Sequence, residues 1–186
     1  MRHGQTLFNE RRKIQGHCDS PLTEKGKNQV KTAGDYFKAQ NIQLDAAYCS
    51  TSERCSDSLE LVIGDDMPYT RLKGLKERNF GIYEAESEDL HPRDYYARDL
   101  YYVQFGGECR DDVRARMVST CIDIMEKATQ NGQTHVIAMS HMGAMVAFLK
   151  QWQEPEPELE KGFPNACICK YEYKDKTFTL VEVIRQ

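Results

Sequence analysis

The sequence predicts an α/β protein, a three-layer sandwich in which a mostly parallel sheet lies between helices. Short apolar runs alternate with longer amphipathic stretches, which is the pattern of strands and helices in turn. The length of 186 residues suits one domain over 1–186. Hydrophobic residues make up 40% of the chain and charged residues 29%, a balance that excludes a disordered tail or a coiled coil.

The first half of the chain contains two predicted helices with a strand between them. Thr23 can cap a helix that runs to about Gln40, with apolar side chains at helical spacing. Residues 44–49 are a strand candidate that leads into a polar turn. A second helix follows through Val62 and ends near Gly64.

The second half of the chain begins with its longest helical stretch, residues 108–131, which Gly132 follows. Residues 135–139 have the pattern of a buried strand, and residues 143–152 that of a helix. We predict a loop over 154–164, which holds three prolines and four glutamates.

At the carboxyl end, the sequence predicts a β-hairpin. Residues 165–173 and 177–184 alternate in character, and the polar residues 174–176 lie between them.

A segment at about 84–105 does not follow the α/β pattern. It carries Tyr95, Tyr96, Tyr101, Tyr102 and Phe105 among six acids and two arginines. This composition suits a partly exposed helical cap over a site. It suits equally well an ordinary helical insertion whose aromatic side chains turn inward.

Charge and cysteine content limit the partners and the compartment. The net charge of -4 argues against nucleic-acid binding. No apolar run approaches ~18 residues, so we expect no membrane contact. We also find no secretory leader, and the seven cysteines include no CxxC pair, as expected for reduced thiols of a cytoplasmic protein. Residues 1–31 carry four more positive than negative charges, which could serve a small anionic ligand or simply form a solvated helix face.

Reactive polar residues follow the apolar runs at three places: residues 2–4, 48–54 and 139–143. In open α/β sheets, ligands bind outside the carboxyl ends of the strands. These segments would therefore bring Arg2, His3, Arg54 and His141 to one rim. Because guanidinium groups match phosphate oxygens two at a time, this combination predicts a phosphate site.

The motif Arg2-His3-Gly4-Gln5-Thr6, followed by Asn9, resembles the signature of the histidine phosphatase superfamily, which includes the cofactor-dependent phosphoglycerate mutases. The resemblance spans nearly the whole chain. The other matching residues, in family order, are Gln15-Gly16, Asp19, Pro21-Leu22-Thr23, Gly26, Ser50, Arg54, Leu75, Glu77, Phe80-Gly81, Gly106-Gly107-Glu108 and Ser140-His141.

The resemblance implies that His3 is the nucleophile and forms a phosphohistidine. An imidazole is largely neutral, and hence nucleophilic, near physiological pH because its ordinary pKa is about 6.5. Arg2, Arg54 and His141 match the groups that hold the phosphoryl oxygens and offset their charge.

The resemblance also implies the remaining site residues. Asn9 matches a donor to the phosphate, and Gln15 and Gly16 lie in the loop that closes over the substrate, where a glycine lets backbone N–H groups approach closely. Glu77 matches the carboxylic acid that protonates the leaving oxygen and then removes a proton from water. Glu84 and Glu86 are weaker candidates for this acid.

Other phosphate chemistries fit the sequence less well. A cysteine phosphatase needs an arginine six positions after its cysteine, and the nearest case is Cys49 with Arg54 only five away. Metal hydrolases usually bring several Asp and His ligands at short spacing, whereas the histidines here accompany arginines. We therefore expect no metal and no cofactor. Each candidate residue, taken alone, has an ordinary structural explanation. Only the occurrence of all of them in family order argues against these ordinary explanations.

Two departures from the family pattern affect the expectations. The Arg-His-Gly motif of the family ends a central strand, but only Met1 precedes Arg2 here. Either the sheet lacks its middle strand or the natural protein begins earlier with a short apolar strand, and we predict the latter. The mutases carry an Arg-Arg pair near the acid, which residues 76–83 lack, so the chain resembles more closely the small broad-specificity phosphatase branch of the family.

The function expected from the sequence is metal-independent hydrolysis of a phosphate monoester, a small phosphorylated metabolite. The alternatives are a mutase that returns the phosphoryl group to a sugar acid and a module that binds phosphate without turnover. The tyrosine-rich cap suggests apolar or ring-bearing leaving groups. The sequence does not indicate the oligomeric state.

Overall fold

The computed structural model describes residues 1–64, 66–94 and 97–185, and it shows an α/β fold with a parallel sheet between helices. The first three strands are parallel, in the order β2-β1-β3, and the last two form an antiparallel hairpin. This arrangement confirms the predicted fold class. The strands are β1 (Ala46–Ser50), β2 (Tyr69–Leu72), β3 (Val136–Met139), β4 (Ile168–Lys174) and β5 (Thr177–Ile184).

Helices cover the sheets on both sides. Single turns of 3-10 helix occupy residues 73–75, 81–83, 88–90 and 103–105. None of the helices in the described ranges is long and apolar enough to cross a bilayer. The helices are α1 (Leu7–Glu10), α2 (Glu24–Ala39), α3 (Glu53–Ile63), α4 (Arg98–Tyr101), α5 (Arg110–Gln130), α6 (Met142–Leu149) and α7 (Glu156–Lys161).

Strand β1 is buried along its whole length because helices pack on both of its faces. Ala47 and Cys49 join an apolar cluster with residues of α2 and α3. Ala46 and Tyr48 join a second cluster with residues of α5 and α6. Successive strand residues point to opposite faces, so this one strand supplies the core of both layers.

The predicted long helices are confirmed. The Oγ1 atom of Thr23 accepts a hydrogen bond from the N–H of Gly26 at 3.0 Å, which caps α2 as expected. Helix α5 follows Cys109, whose Sγ accepts from the N–H of Asp112 at 3.3 Å. The hairpin is also confirmed, and its two-residue turn is Asp175-Lys176, both with positive φ, as in a type I′ turn.

Three short elements were not predicted. The expected loop over 154–164 contains α7, so that prediction is wrong in part. Pro157 lies in the first turn of α7, where its missing N–H would have no helical partner. Strand β2 has two exposed residues at its centre, and α1 is a single turn, so neither has a periodic apolar pattern.

Residues 1–3 lie between β3 and the start of β4 and bond to both. The amino group of Met1 donates to the carbonyl of Ala138 at 2.8 Å, and the N–H of Arg2 donates to the carbonyl of Cys167 at 3.0 Å. His3 donates its N–H to Ser140 at 3.1 Å. Next to Met1, a cavity of about 790 Å³ is lined by β3, by β4 and by helices α2 and α5.

In the segment at 84–105, the aromatic side chains of the described residues turn inward. Tyr101 and Phe105 pack against Tyr83, with ring centroids 5.7 and 5.2 Å apart respectively, and Tyr102 is fully buried. Tyr95 and Tyr96 lie outside the described residues.

Candidate active site

His3 is a buried, neutral imidazole whose tautomer is fixed by the backbone. Its Nδ1 lies 2.7 Å from the carbonyl oxygen of Gly4. Because a carbonyl only accepts, Nδ1 carries the proton, and Nε2 keeps its lone pair. Burial lowers the pKa of His3 well below its ordinary value, and the positive charges of Arg54 and Arg2 lower it further. The ring is therefore a ready nucleophile at Nε2.

His141 lies against His3, with the two ring centroids 5.3 Å apart. Its Nδ1 is 2.9 Å from Nη2 of Arg54, which can only donate, so Nδ1 is the acceptor. Its Nε2 then donates to Oγ of Ser50 at 2.9 Å. Burial, followed by the charge of Arg54, holds the pKa of His141 well below the ordinary value. His141 is thus a second neutral imidazole, fully buried.

Arg54 is fully buried, and its guanidinium is bound by protein groups on all sides. Nη1 donates to the carbonyl of Cys18 at 2.9 Å and forms an ion pair with Asp19 at 2.8 Å. Nη2 donates to the carbonyl of Gly16 at 2.8 Å, besides its contact with His141. The predicted group of His3, Arg54 and His141 is therefore assembled. Arg54 and His141 lie behind the cavity wall rather than in it.

Arg2 lines the cavity that His3 also lines. Nη1 donates to the carbonyl of Phe163 at 2.5 Å. Nε is buried and has no hydrogen-bond partner among the described residues. An unsatisfied buried donor costs about 1–3 kcal/mol, so an anionic acceptor there would be favoured.

Asn9 and Gln15 also line the cavity, and both are tied to the backbone turn at Thr6. Oδ1 of Asn9 accepts from the N–H of Thr6 at 3.2 Å, which leaves the amide NH₂ as the donor of this side chain. Oε1 of Gln15 accepts from Oγ1 of Thr6 at 2.6 Å, and Nε2 donates to Ser20 at 3.0 Å. Asn9 is thus oriented as a donor, whereas the Gln15 amide is occupied within the protein.

Gly16 has a different role from the one that the sequence predicts. Its N–H donates to Glu84 at 3.0 Å, and the N–H groups of His17 and Cys18 donate to the same carboxylate at 2.8 and 2.9 Å. A Cβ at Gly16 would lie 2.1 Å from the carbonyl of Arg78. The glycine therefore allows the loop to pack on its support, and its N–H does not face a substrate.

Glu84 is accordingly committed to this loop, which removes it as a candidate for the acid. Burial acts to raise the pKa of Glu84, but hydrogen bonds from Cys18, Phe80 and His17 outweigh burial and lower the pKa. Glu86, the other weak candidate, is not among the residues that line the cavity.

Glu77 is buried beside the amino terminus of α6 and lines the same cavity as His3. Its Oε1 accepts from the N–H of Arg78 and its Oε2 from that of Gly143, both at 2.8 Å. Each carboxylate oxygen has a second lone pair, so both can still bind a substrate atom or water.

Arg116 and Glu108 support this site, and neither was predicted in this role, although Glu108 belongs to one of the matching motifs. Arg116 donates to the carbonyls of Lys76 and Glu77 at 2.6 and 2.9 Å, and to both carboxylate oxygens of Glu108 at 2.9 Å. Glu108 in turn accepts from the N–H of Asn79 at 2.8 Å. This ion pair fixes the segment that carries Glu77. Its partners are mostly backbone groups some 30–40 residues away, which no local motif reveals.

Two cysteines near the site, Cys18 and Cys55, are thiols rather than thiolates. Sγ of Cys55 lies 3.5 Å from Nε2 of His141, and burial raises the pKa of Cys55 far above its ordinary value. Burial likewise raises the pKa of Cys18 to about 12. Cys109 caps α5.

Known proteins are similar to this chain in sequence and in fold. The broad-specificity phosphatase YOR283W of Saccharomyces cerevisiae is 28% identical over 162 residues, which cover 84% of this chain and 69% of that protein. The 2,3-bisphosphoglycerate-dependent phosphoglycerate mutase of Beijerinckia indica is 29% identical over 181 residues, covering 88% and 87%.

The solved structure of Bacillus stearothermophilus YhfR superposes with a TM-score of 0.82 at 27% identity, covering 97% of this chain and 92% of that one. The family profile described as histidine phosphatase superfamily (branch 1) matches residues 1–185. The chain belongs to the histidine phosphatase superfamily.

Proposed function

We propose that this protein hydrolyses phosphate monoesters through a phosphohistidine on Nε2 of His3, with Glu77 as acid and base and with no metal ion. The observation that carries the proposal is the neutral, buried His3, whose Nδ1–H bonds to Gly4 while Nε2 stays unprotonated, together with Glu77 in the lining of the same cavity. The phosphatase among its relatives supports the same reaction.

In the first step, Nε2 of His3 attacks phosphorus and the bond from phosphorus to the leaving oxygen breaks. Glu77, in its protonated form, gives its proton to that oxygen. Arg2 and the amide NH₂ of Asn9 hold the non-bridging oxygens. The carbonyl of Gly4 stabilises the positive charge that develops on the imidazole, because it accepts from Nδ1.

In the second step, a water molecule attacks phosphorus and the bond to Nε2 breaks. Glu77, now a carboxylate, takes a proton from this water. The electron pair of the broken bond returns to Nε2, which restores neutral His3. The products are inorganic phosphate and an enzyme ready for the next cycle.

The test compares His3→Ala and Glu77→Gln with His135→Ala, a change at an exposed histidine outside the cavity. Hydrolysis of p-nitrophenyl phosphate should fall by at least about 10³-fold in His3→Ala and should persist in His135→Ala. Rapid quenching of Glu77→Gln should trap an acid-labile phosphoryl group on residue 3. Full activity of His3→Ala would overturn the proposal. Loss of wild-type activity after a chelator is added would overturn it as well.

A phosphoglycerate mutase is the second candidate, and the 29% identity to a mutase favours it. Arg78 stands next to the acid, but its guanidinium donates to the carbonyls of Glu108, Arg98 and Asp99 at 2.7 to 2.9 Å. Arg78 is therefore part of the cavity wall, and its guanidinium is bound to backbone carbonyls. A mutase would transfer the phosphoryl group to a sugar acid when primed by a bisphosphate, whereas a hydrolase releases it to water. A binding module would retain phosphate and hydrolyse no monoester.

We also assign the protein to the cytoplasm and its substrate to small phosphorylated metabolites. All seven cysteines are free thiols, which supports a reducing compartment. The cavity beside His3 has a volume of about 240 Å³, which suits a small molecule.

A further inference from the structure

Cys167 and Cys169 are neighbouring thiols at the start of β4. Cys169 and Tyr171 pack against the apolar cluster that contains Cys167. Side chains two residues apart point to the same face of a strand, which brings the two sulfurs together. The side chain of Cys169 donates a hydrogen bond to the sulfur of Cys167. Both are free thiols, and the proposed reaction uses neither of them.

Cys167 ends a turn that holds the amino-terminal residues of the site. Its carbonyl accepts from the N–H of Arg2 at 3.0 Å, and the N–H of Ala166 donates to the carbonyl of His3 at 3.1 Å. The side-chain amide of Asn165 donates to the same carbonyl of His3 at 3.3 Å. Arg2 and His3 are therefore both anchored to this turn, so a displacement of Cys167 would act on them directly.

The surroundings of Cys167 favour its thiolate form. The hydrogen bond from Cys169 lowers the pKa of Cys167 to about 7, since the positive charges of the amino terminus, Arg2 and Arg185 act in the same direction and together they outweigh burial. The same hydrogen bond raises the pKa of Cys169. Near neutral pH the pair thus holds a thiolate beside a thiol, the two groups that attack an oxidant and then close a disulfide.

A disulfide between these two residues would move the backbone at Cys167. In an extended strand, Cα atoms two residues apart are separated by about 6.6–6.8 Å, the upper end of the range that a disulfide spans. Cys167 precedes Ile168, the first residue of β4 that pairs with β5, so its backbone is not held in the ladder. Closing the bond would draw Cys167 toward Cys169 and loosen its hydrogen bond with Arg2. Cys169 is half-buried and lines the cavity of about 790 Å³, which gives a small oxidant access to the pair.

We propose that Cys167 and Cys169 form a reversible disulfide on oxidation by hydrogen peroxide, and that this bond inactivates the site by displacing the turn that holds Arg2 and His3. The inference rests on the proposed phosphatase function, whose regulation it describes. Such transient, redox-sensing disulfides are the kind that a reducing compartment allows.

The reaction has two steps. The thiolate of Cys167 attacks one oxygen of the peroxide, the O–O bond breaks, and the hydroxide that leaves takes up a proton and becomes water. The sulfur of Cys169 then attacks the sulfur of the resulting sulfenic acid, the S–O bond breaks, and the hydroxyl leaves as water with the proton of Cys169. The two sulfurs lose two electrons in total, and one peroxide is reduced to two waters.

The test treats the protein with hydrogen peroxide and then digests it with trypsin. Cleavage after Lys161 and Lys170 yields the peptide 162–170, which holds both cysteines of the pair and no other cysteine. We expect this peptide to be two hydrogen atoms lighter than its reduced form and to resist alkylation. Hydrolysis of p-nitrophenyl phosphate should fall by about tenfold or more on oxidation and should return after treatment with dithiothreitol.

Cys167→Ala should keep its activity after peroxide treatment, because the attacking sulfur is absent. The matched control is Cys121→Ala, at a cysteine that lines the same cavity as Cys169 but whose pKa burial raises to about 12. This control should lose activity as wild type does. Equal inactivation of wild type and Cys167→Ala would overturn the proposal. Absence of the disulfide from peptide 162–170 of the treated wild type would also overturn it, and that result does not depend on the folding of any variant.

The effect of the disulfide on the turn can be measured without any activity. The N–H of Arg2, which donates to Cys167, should exchange with solvent about tenfold faster or more in the oxidised protein, as measured by NMR. If the reduced protein hydrolyses no monoester, the proposed function fails, and a disulfide with faster exchange at Arg2 would still support the coupling between the thiol pair and the site. Unchanged exchange and unchanged hydrolysis in the disulfide form would overturn that coupling and leave the phosphatase function standing.

Discussion

The protonation state of His3 depends on its surroundings more than on its residue type. An ordinary imidazole is half protonated near pH 6.5. In this fold, burial and two neighbouring guanidiniums lower the pKa of His3 well below that value. The proposed nucleophile therefore stays neutral in acid where a free histidine would not. The same arginines that suit an anionic substrate also keep Nε2 unprotonated.

This shift predicts a loss of stability in mild acid. The unfolded chain takes up a proton on residue 3 near pH 6.5, whereas folded His3 stays neutral. The free energy of unfolding should therefore fall as pH drops below 6.5, by up to about 1.4 kcal/mol per pH unit for this group. Urea unfolding of wild type and His3→Gln in phosphate-free buffer between pH 7.5 and 5.5 checks this, and the variant should show the smaller slope. Identical slopes would contradict it.

At this scale, the sequence could predict the residues of one motif but not their supports. Arg54 and His141 were predictable because each follows an apolar run whose strand ends at the same edge, and His3 because it lies in the Arg-His-Gly motif that resembles the family signature. Arg116 and Glu84 were not predictable in these roles, because they bind backbone groups that only the folded chain brings near. Gly16 was predicted as a site residue for the wrong physical reason, since its N–H donates to Glu84.

Among the elements, the start of α6 has the closest link to the proposed chemistry. His141 is its N-cap residue, and the N–H of Gly143 in its first turn donates to Glu77. A Cβ at Gly143 would lie 2.6 Å from Oε1 of Glu77 and 3.1 Å from its Cδ. One helix terminus thus fixes both the buried imidazole and the carboxylate.

Replacing Gly143 by Ala should therefore displace the carboxylate and lower kcat by about tenfold or more. The matched control is Gly34→Ala in α2, where an added Cβ meets its neighbours at 3.6–3.9 Å. That change should keep kcat and raise the melting temperature by a few degrees, because Ala is favoured over Gly in a helix by about 0.5–1 kcal/mol.

Steady-state kinetics and thermal melts of the two variants distinguish a local effect on the acid from a general effect of adding a methyl group. Wild-type kcat in Gly143→Ala would mean that Glu77 can move without cost, contrary to the geometry at α6.

The elements that the sequence predicts well are those with a long apolar period. Helices α2, α3 and α5 have such a period, and the alternating character of β4 and β5 likewise predicts these two strands. Strand β2 pairs on one side only, at the edge of the sheet, and shows no such pattern. Its presence depends on the neighbouring strand β1, so its own four residues do not indicate it.

For the whole molecule, the most consequential feature is the gap between its two sheets. Strands β3 and β4 belong to separate sheets, and residues 1–3 alone hydrogen-bond to both sides among the described parts of the chain. Beside Met1, the cavity of about 790 Å³ is lined by apolar side chains such as Ile137, Ile168 and Phe148. His3, the proposed nucleophile, is the last residue of this segment, which alone joins the two sheets in the described parts of the chain.

An apolar strand placed in this gap should stabilise the protein. A variant with five added β-branched residues before Met1 would continue residues 1–3 parallel to β3 and could pair with β3 and β4. Each fully buried Val or Ile side chain contributes about 1.5–3 kcal/mol to the free energy of unfolding. Two or three such side chains outweigh the entropic cost of ordering five residues only if the new strand also gains backbone hydrogen bonds. We expect the midpoint of urea unfolding to rise and the amide of His3 to become better protected from hydrogen exchange. The control extension consists of five Gly and Ser residues, which supply length without apolar surface. Equal midpoints for the two extensions would show that the gap does not accept a strand, and that the junction at His3 is already as stable as this fold allows.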